Sequence, residues 1–312
     1  MKLLTCILLL LMANFPAFCQ IKVPPYFREN PEFTNDLKKI ISDLNLDSSF
    51  ATAEDGPEQI SFAVVDLTGK SPVFAGVNAT NFIYPASVYK MYVAMEILKQ
   101  VSEKNYSLYR TYIVSAPNDV DKIKEISNDP RPLLKAGDSV TVNYLLDLMI
   151  TRSDNTAANC LIDLAGRKNI NLTIERLGWT GSEITRKFLK RKFEDAGYDT
   201  VRGTQTCALH AADFMYRVFT GKLINPWVSM QLKVLLGRQL DNTKLATGLP
   251  SKVMYYHKTG WWSNYTHDVG IVDDGKLKYV VAIFTPLKET DVSPVLKILS
   301  EKIYNLIAHS HR

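Results

Sequence analysis

The sequence predicts an α+β fold: an antiparallel sheet assembled from both ends of the chain and flanked by helices, beside an all-helical region made from its middle. Two observations predict it. Strand-like runs gather at the ends, at residues 60–67 and 72–77 and again at 253–256, 268–272 and 277–284. Between them, apolar residues recur at helical spacing over 88–101, 142–150, 155–165, 170–177, 207–219 and 227–240. The expected division is an α/β part from 20–86 and 222–312, and a helical part from 87–221.

Taken in order, the first residues read as an export signal. Met1-Lys2 precedes an apolar run from Leu3 to Met12 that is too short to span a bilayer, with small residues near its end. Cleavage is expected after Cys19, which with Ala17 fills the two small-residue positions. A lipid anchor on Cys19 is the competing reading, and the bulky Phe18 argues against it. Residues 1–19 are thus a signal peptide, and the mature protein is expected to be secreted or periplasmic without stable membrane insertion. Phe33 to Leu46 then reads as an amphipathic helix, and Thr68-Gly69-Lys70 as the turn between the first two strands. Gly166 is expected to end the 155–165 helix. Residues 178–206, with Gly178, Gly181, Gly197, Gly203 and a basic cluster, read as a long surface loop. Asp273-Asp274-Gly275 signals a hairpin between the last two strands, and a helix over 292–307 closes the chain.

Composition narrows the function classes. The 312 residues are 46% hydrophobic and 22% charged, ordinary for a globular protein of one large domain or two closely packed ones. Without residues 1–19 the chain keeps 36 Lys+Arg against 32 Asp+Glu, a formal +4 that gives no reason to expect nucleic acid. Of the four cysteines, Cys6 and Cys19 lie in the signal. Cys160 sits in an apolar helical stretch and reads as a buried free thiol rather than the partner of Cys207. The histidines show no metal-ligand spacing, so neither metal nor cofactor is expected.

Three short strings carry the chemistry: Ser87-Val-Tyr-Lys90, Ser153-Asp154-Asn155 and Lys258-Thr259-Gly260. Ser87 stands where a helix begins, and three residues on, Lys90 falls on the same face. A serine hydroxyl is a poor nucleophile until a base takes its proton, and burial makes a lysine such a base. The helix start also offers backbone N–H groups to an oxyanion. Ser153 precedes a helix and can pass a proton to a leaving amine, while the Asn155 amide can bind a substrate carbonyl. Lys258 and Thr259 can hold an acidic substrate group, and Gly260, at the end of a strand-like run, lets a substrate backbone lie along the strand edge. Alone, each string is a helix cap, a surface lysine or a strand end. Together and in this order they are the equipment of a serine acyl-transfer enzyme without a catalytic histidine.

On these strings the chain resembles the class A serine β-lactamase group of the penicillin-recognising enzyme family, across essentially all of the mature sequence. The resemblance implies a β-lactamase-like fold, Ser87 as acyl-enzyme nucleophile and Lys90 as proton acceptor. It implies Ser153 as proton shuttle, Asn155 as an amide contact, and Lys258 and Thr259 as carboxylate binders. The oxyanion hole would be the N–H groups of Ser87 and Trp261. Substrates would be small-molecule β-lactams or cell-wall peptides, taken by a monomer.

Two departures accompany the resemblance. Class A enzymes carry a Glu-x-x-Leu-Asn string after Ser-Asp-Asn, whose glutamate activates the deacylating water. Counting from Arg186 puts that position near Arg191, which cannot act as a base, and Glu194 is the candidate substitute if the loop is reshaped. An arginine after Lys258-Thr-Gly is also missing, and His267 or Asp268 stand roughly where one would be sought. The basic run of Arg186, Lys187, Lys190, Arg191 and Lys192 reads as a solvated loop face. Trp261 and Trp262 add bulk beside the site and favour an aromatic or extended substrate. The leading reading is an exported hydrolase opening a β-lactam amide through acyl-Ser87. The alternatives are a cell-wall DD-peptidase or amidase, and a penicillin-binding sensor acylated without turnover.

Overall fold

The computed structural model describes residues 21–52, 56–189 and 203–311. Its centre is a six-stranded sheet in the order β1-β5-β4-β10-β9-β8, formed by β1 (Arg28–Glu29), β4 (Ser61–Asp66), β5 (Val73–Val77), β8 (Met254–Trp262), β9 (Tyr265–Asp273) and β10 (Lys278–Thr285). All pairings are antiparallel except the short β1–β5 pair. Two ribbons stand apart from it: β2 (Phe50–Thr52) with β3 (Gly56–Glu58), and β6 (Thr111–Ile113) with β7 (Ser139–Thr141). The sheet is built from both ends of the chain, as the strand runs predict.

Alternation along the strands sorts the sheet into two faces. Phe62, Val64, Val281 and Ile283 pack on one side with Leu37 and Ile41 of α1 (Pro31–Asp43) and Leu296, Leu299 and Ile303 of α8 (Glu289–Ser310). Ala63, Val65, Val269, Ile271 and Ala282 face the other way, into the larger core. That core is filled by α2 (Lys90–Ser102), α3 (Val142–Thr151), α4 (Asn155–Ala165), α5 (Arg167–Arg176), α6 (Ala208–Phe219) and α7 (Pro226–Leu236). Helix α6 lies against β4, β9 and β10. Helix α2 is buried on nearly every side, which makes it the axis of the helical region and a rigid mount for its first residue, Lys90.

Three expectations need correction. The strand run carrying Lys258-Thr259-Gly260 does not end there. β8 continues through Trp261 and Trp262 and turns at Ser263-Asn264 into β9, which begins at Tyr265 rather than at Asp268. Polar residues hide the strand pattern, yet His257, Lys258, His267 and Asp268 are all buried. The described part of 178–206 is also not a surface loop throughout. Trp179 and Ile184 are buried, and the Trp179 indole donates to Asp213 while its ring packs against Tyr92 and Phe214. Backbone pairs Glu183–Gln205 and Ile83–Thr206 tie the segment down. Last, of the basic run, Lys187 is not purely solvated, since it reaches Asp163 at 2.9 Å, and both Arg186 and Lys187 line a cleft. Cys160 and Cys207 are buried free thiols, as expected for Cys160.

Candidate active site

The three strings converge at the junction of the helical region and the free edge of β8. A 3₁₀ turn over Ala86–Tyr89 leads into α2, so Ser87 sits just ahead of the helix and Lys90 on its first turn. Ala86 holds a left-handed φ of 45°, an uncommon conformation for a residue with a Cβ, immediately before the nucleophile candidate. The Ser153 φ of 62° is left-handed too, and it turns the chain from α3 into α4. Asp154 caps α4 by accepting from Ala157 N at 2.7 Å, as the sequence suggests for this string.

Lys90 is fully buried, and its ammonium contacts Ser153 O at 2.5 Å, Ser153 Oγ at 3.2 Å and Asn155 Oδ1 at 2.7 Å. Lys258 reaches the same hydroxyl from β8, at 3.1 Å. Ser153 Oγ therefore stands between two lysines. Burial lowers Lys90 from its ordinary value to about 8. Burial, and then the charge of Lys90, lowers Lys258 to about 7. Both amines can therefore exchange protons near neutral pH, with Ser153 as the bridge. Ser87 lines the adjoining cleft, and its hydroxyl has no hydrogen-bond partner among the described residues.

Gly260 explains how a strand and a helix start come together. A Cβ there would lie 2.9 Å from Pro85 O, Ser87 N and Val88 N, so only glycine allows β8 to touch the turn that presents Ser87. The hairpin fixes the next residue. A two-residue turn with Ser263 at φ 51° makes Trp262 and Tyr265 the hydrogen-bonded pair and Trp261–Thr266 the open pair. The Trp261 N–H and C=O accordingly face away from β9, into the cleft. Beside them is the Ser87 N–H, which has no backbone acceptor among the described residues. Two converging amides of this kind suit an oxyanion.

The cleft, about 460 Å³, is also lined by residues that no motif in the sequence singles out: Asp121, Glu125, Phe188 and Tyr265 among them. Asp121 holds the site's frame: it accepts from the backbone N–H groups of Asn155 and Thr156 at 2.6 and 3.1 Å, and from Asn155 Nδ2 at 2.9 Å. Glu125 accepts from the Trp261 indole at 2.8 Å across the cleft mouth. Behind Ser153, buried Arg152 bonds Asp154 at 2.7 Å and the carbonyls of Arg131 and Pro132.

Phe188 is the residue that the loop lays over Lys90. Its backbone is clipped to Asn159 in both directions, N to Oδ1 at 2.7 Å and O to Nδ2 at 3.4 Å. Its ring stacks on Tyr89, with Lys90 Nζ 4.2 Å from the ring centroid. An aromatic ring thus lies over Lys90, and among the described residues no carboxylate bonds its ammonium. Arg191 and Glu194, the positions singled out from the sequence, lie outside the described residues.

The other substitutes sought in the sequence do not reach the cleft. His267 is buried, bonded to Tyr84 O and Thr285 N, and burial pushes it down to about 3, so it carries no charge. Asp268 is taken up by His257 and Leu245 N. Lys244 adds a further positive charge that lowers Lys258, and is itself buried between Asp241 at 2.6 Å and Glu289 at 2.7 Å. No cluster of metal-binding side chains exists among the described residues, and none of their helices is long and apolar enough to cross a membrane.

Comparisons with known proteins show the fold and the family. A β-lactamase of Bacteroides uniformis is 24% identical over 238 residues, 70% of this chain and 77% of that protein. The structure of PBP-A superposes with a TM-score of 0.74 at 21% identity, covering 92% of this chain and 100% of that one. A β-lactamase from Sphaerobacter thermophilus superposes at 0.73 and 18% identity, covering 88% and 97%. Residues 36–307 match the family described as the β-lactamase enzyme family. The chain belongs to that family, as a divergent member.

Proposed function

We propose that the protein is an exported serine enzyme that opens the amide of a β-lactam by forming an acyl-Ser87 ester, and that it releases this ester slowly. The observation that carries the reading is the shared bridge: two buried lysines on one Ser153 hydroxyl, beside Ser87 and two inward N–H groups. Neutral Lys90 takes the Ser87 proton as Oγ attacks the carbonyl carbon. The oxyanion rests on the Ser87 and Trp261 N–H groups. The C–N bond then breaks, and the leaving nitrogen takes a proton from Ser153 Oγ, which regains one from a lysine. Lys258 and Thr259, both buried just behind the cleft lining, are assigned the substrate carboxylate.

Hydrolysis is the slow half because Phe188 covers Lys90 where a base for water would be needed. This favours the reading of a penicillin-acylated protein with little turnover over that of a fast hydrolase. A point variant of PBP-A, a protein of the same fold, has been solved as an acyl-enzyme complex with penicillin G. Export rests on the layout of residues 1–19. Peptide mapping after benzylpenicillin treatment tests the assignment. The adduct should fall on Ser87 and vanish in Ser87→Ala; an adduct that survives this substitution overturns it.

A further inference from the structure

We propose that Glu125 and the Trp261 indole form a subsite for an ammonium group carried on the acyl side of the substrate, an inference that rests on the acyl-Ser87 reading above. The direction follows from β8. With the substrate carboxylate at Lys258 and Thr259, the rest of the acyl group runs past Gly260 and Trp261, whose N–H and C=O face the cleft. That path ends at the cleft mouth, where the Glu125 carboxylate bridges to the Trp261 indole at 2.8 Å.

Three further features give this mouth its chemistry. First, Glu125 makes no ion pair among the described residues, and its hydrogen-bond partner is a neutral indole. Asp121, the other acid in the cleft, is by contrast saturated by three N–H donors. Second, the two indoles are open to solvent, Trp261 at 42% and Trp262 at 62%, and line the cleft together. An ammonium between a carboxylate and aromatic faces gains both charge pairing and cation–π attraction. Third, Glu125 is electrically coupled to the reacting centre: it is the foremost opposite charge acting on both Lys90 and Lys258, holding their protons on. A cation on Glu125 would offset that hold and leave more Lys90 neutral. Recognition and acylation are thereby linked, and a substituent that is itself anionic is disfavoured on both counts.

The test compares three penicillins that differ at one carbon: ampicillin with an ammonium, benzylpenicillin neutral there, and carbenicillin with a second carboxylate. Second-order acylation rates at pH 7 and low salt should fall in that order, ampicillin exceeding carbenicillin by about tenfold or more. In Glu125→Gln the three rates should converge to within about twofold, and 0.5 M salt should compress the wild-type spread. An unchanged ampicillin-to-carbenicillin ratio in Glu125→Gln overturns the subsite. A second measurement does not depend on acylation. In Ser87→Ala, benzylammonium should quench tryptophan fluorescence saturably, and adding Glu125→Gln should weaken that binding at least about threefold. Quenching that is absent, or indifferent to Glu125, also overturns the subsite. Quenching in Ser87→Ala, together with a wild-type protein that no penicillin acylates, supports the subsite and refutes the acyl-Ser87 reading instead.

Discussion

Raising the pH should speed the acylation of Ser87 and then cease to matter a little above pH 8. Lys90 is fully buried, and burial brings its pKa from 10.5 down to about 8. Only the neutral amine can accept the Ser87 proton. Its fraction is about 1 in 100 at pH 6, about 1 in 10 at pH 7 and about half at pH 8. The rate should therefore rise about tenfold from pH 6 to 7, about fivefold from 7 to 8 and less than about twofold from 8 to 9. Lys258 shares Ser153 and is lowered to about 7, so the two amines titrate as a pair and the limb reports both. Stopped-flow acylation with a chromogenic cephalosporin at constant ionic strength gives the profile. A rate still climbing tenfold per pH unit between 9 and 10 would mean an ordinary lysine. A flat profile from 6 to 9 would mean that no amine in this pair is the base.

The remaining predictions concern the residues that set the geometry. Gly260→Ala drives a Cβ to 2.9 Å from the Ser87 and Val88 nitrogens, so acylation should drop by about 10²-fold or more, read by the same stopped-flow assay. Arg152→Met leaves Asp154 buried without its 2.7 Å partner, and denaturant unfolding should show a loss of about 3–5 kcal/mol. Phe188→Glu puts a carboxylate beside Lys90 and should shorten the life of the penicillin adduct by about 10²-fold, followed by mass spectrometry; an unchanged lifetime would show that this position does not limit deacylation. Cys160 and Cys207 should both react with a thiol reagent only after denaturation, because each is buried and its pKa is pushed up to about 12 by burial.

The parts of the site legible in the sequence are those fixed by local spacing. Ser87 and Lys90 share a helix start, and Asp154 and Gly166 bound α4 as cap and stop, which is why 155–165 is read correctly at both ends. The sheet built from both ends was legible from where the β-branched and aromatic runs fall. The length of β8 and β9 was not, because Lys258, His267 and Asp268 break the apolar pattern yet are buried through long-range partners. Phe188, Asp121, Glu125 and Arg152 are all placed by partners distant in the sequence, and nothing in their own surroundings along the chain marks them. Phe188 in particular is held by Asn159, which reads from the sequence only as a polar residue in a helix. The buried segment around Trp179 was hidden in the same way, since its order comes from Asp213 and two isolated backbone pairs, Glu183–Gln205 and Ile83–Thr206, rather than from a repeating pattern.

The most direct test of the account is an intact-mass time course of the mature protein with benzylpenicillin. One adduct of the full penicillin mass per chain should form quickly and persist for many minutes while little free hydrolysed drug accumulates. Rapid hydrolysis of the drug with no adduct standing would contradict the role given to Phe188, and the absence of both adduct and hydrolysis would contradict acyl transfer by Ser87 itself.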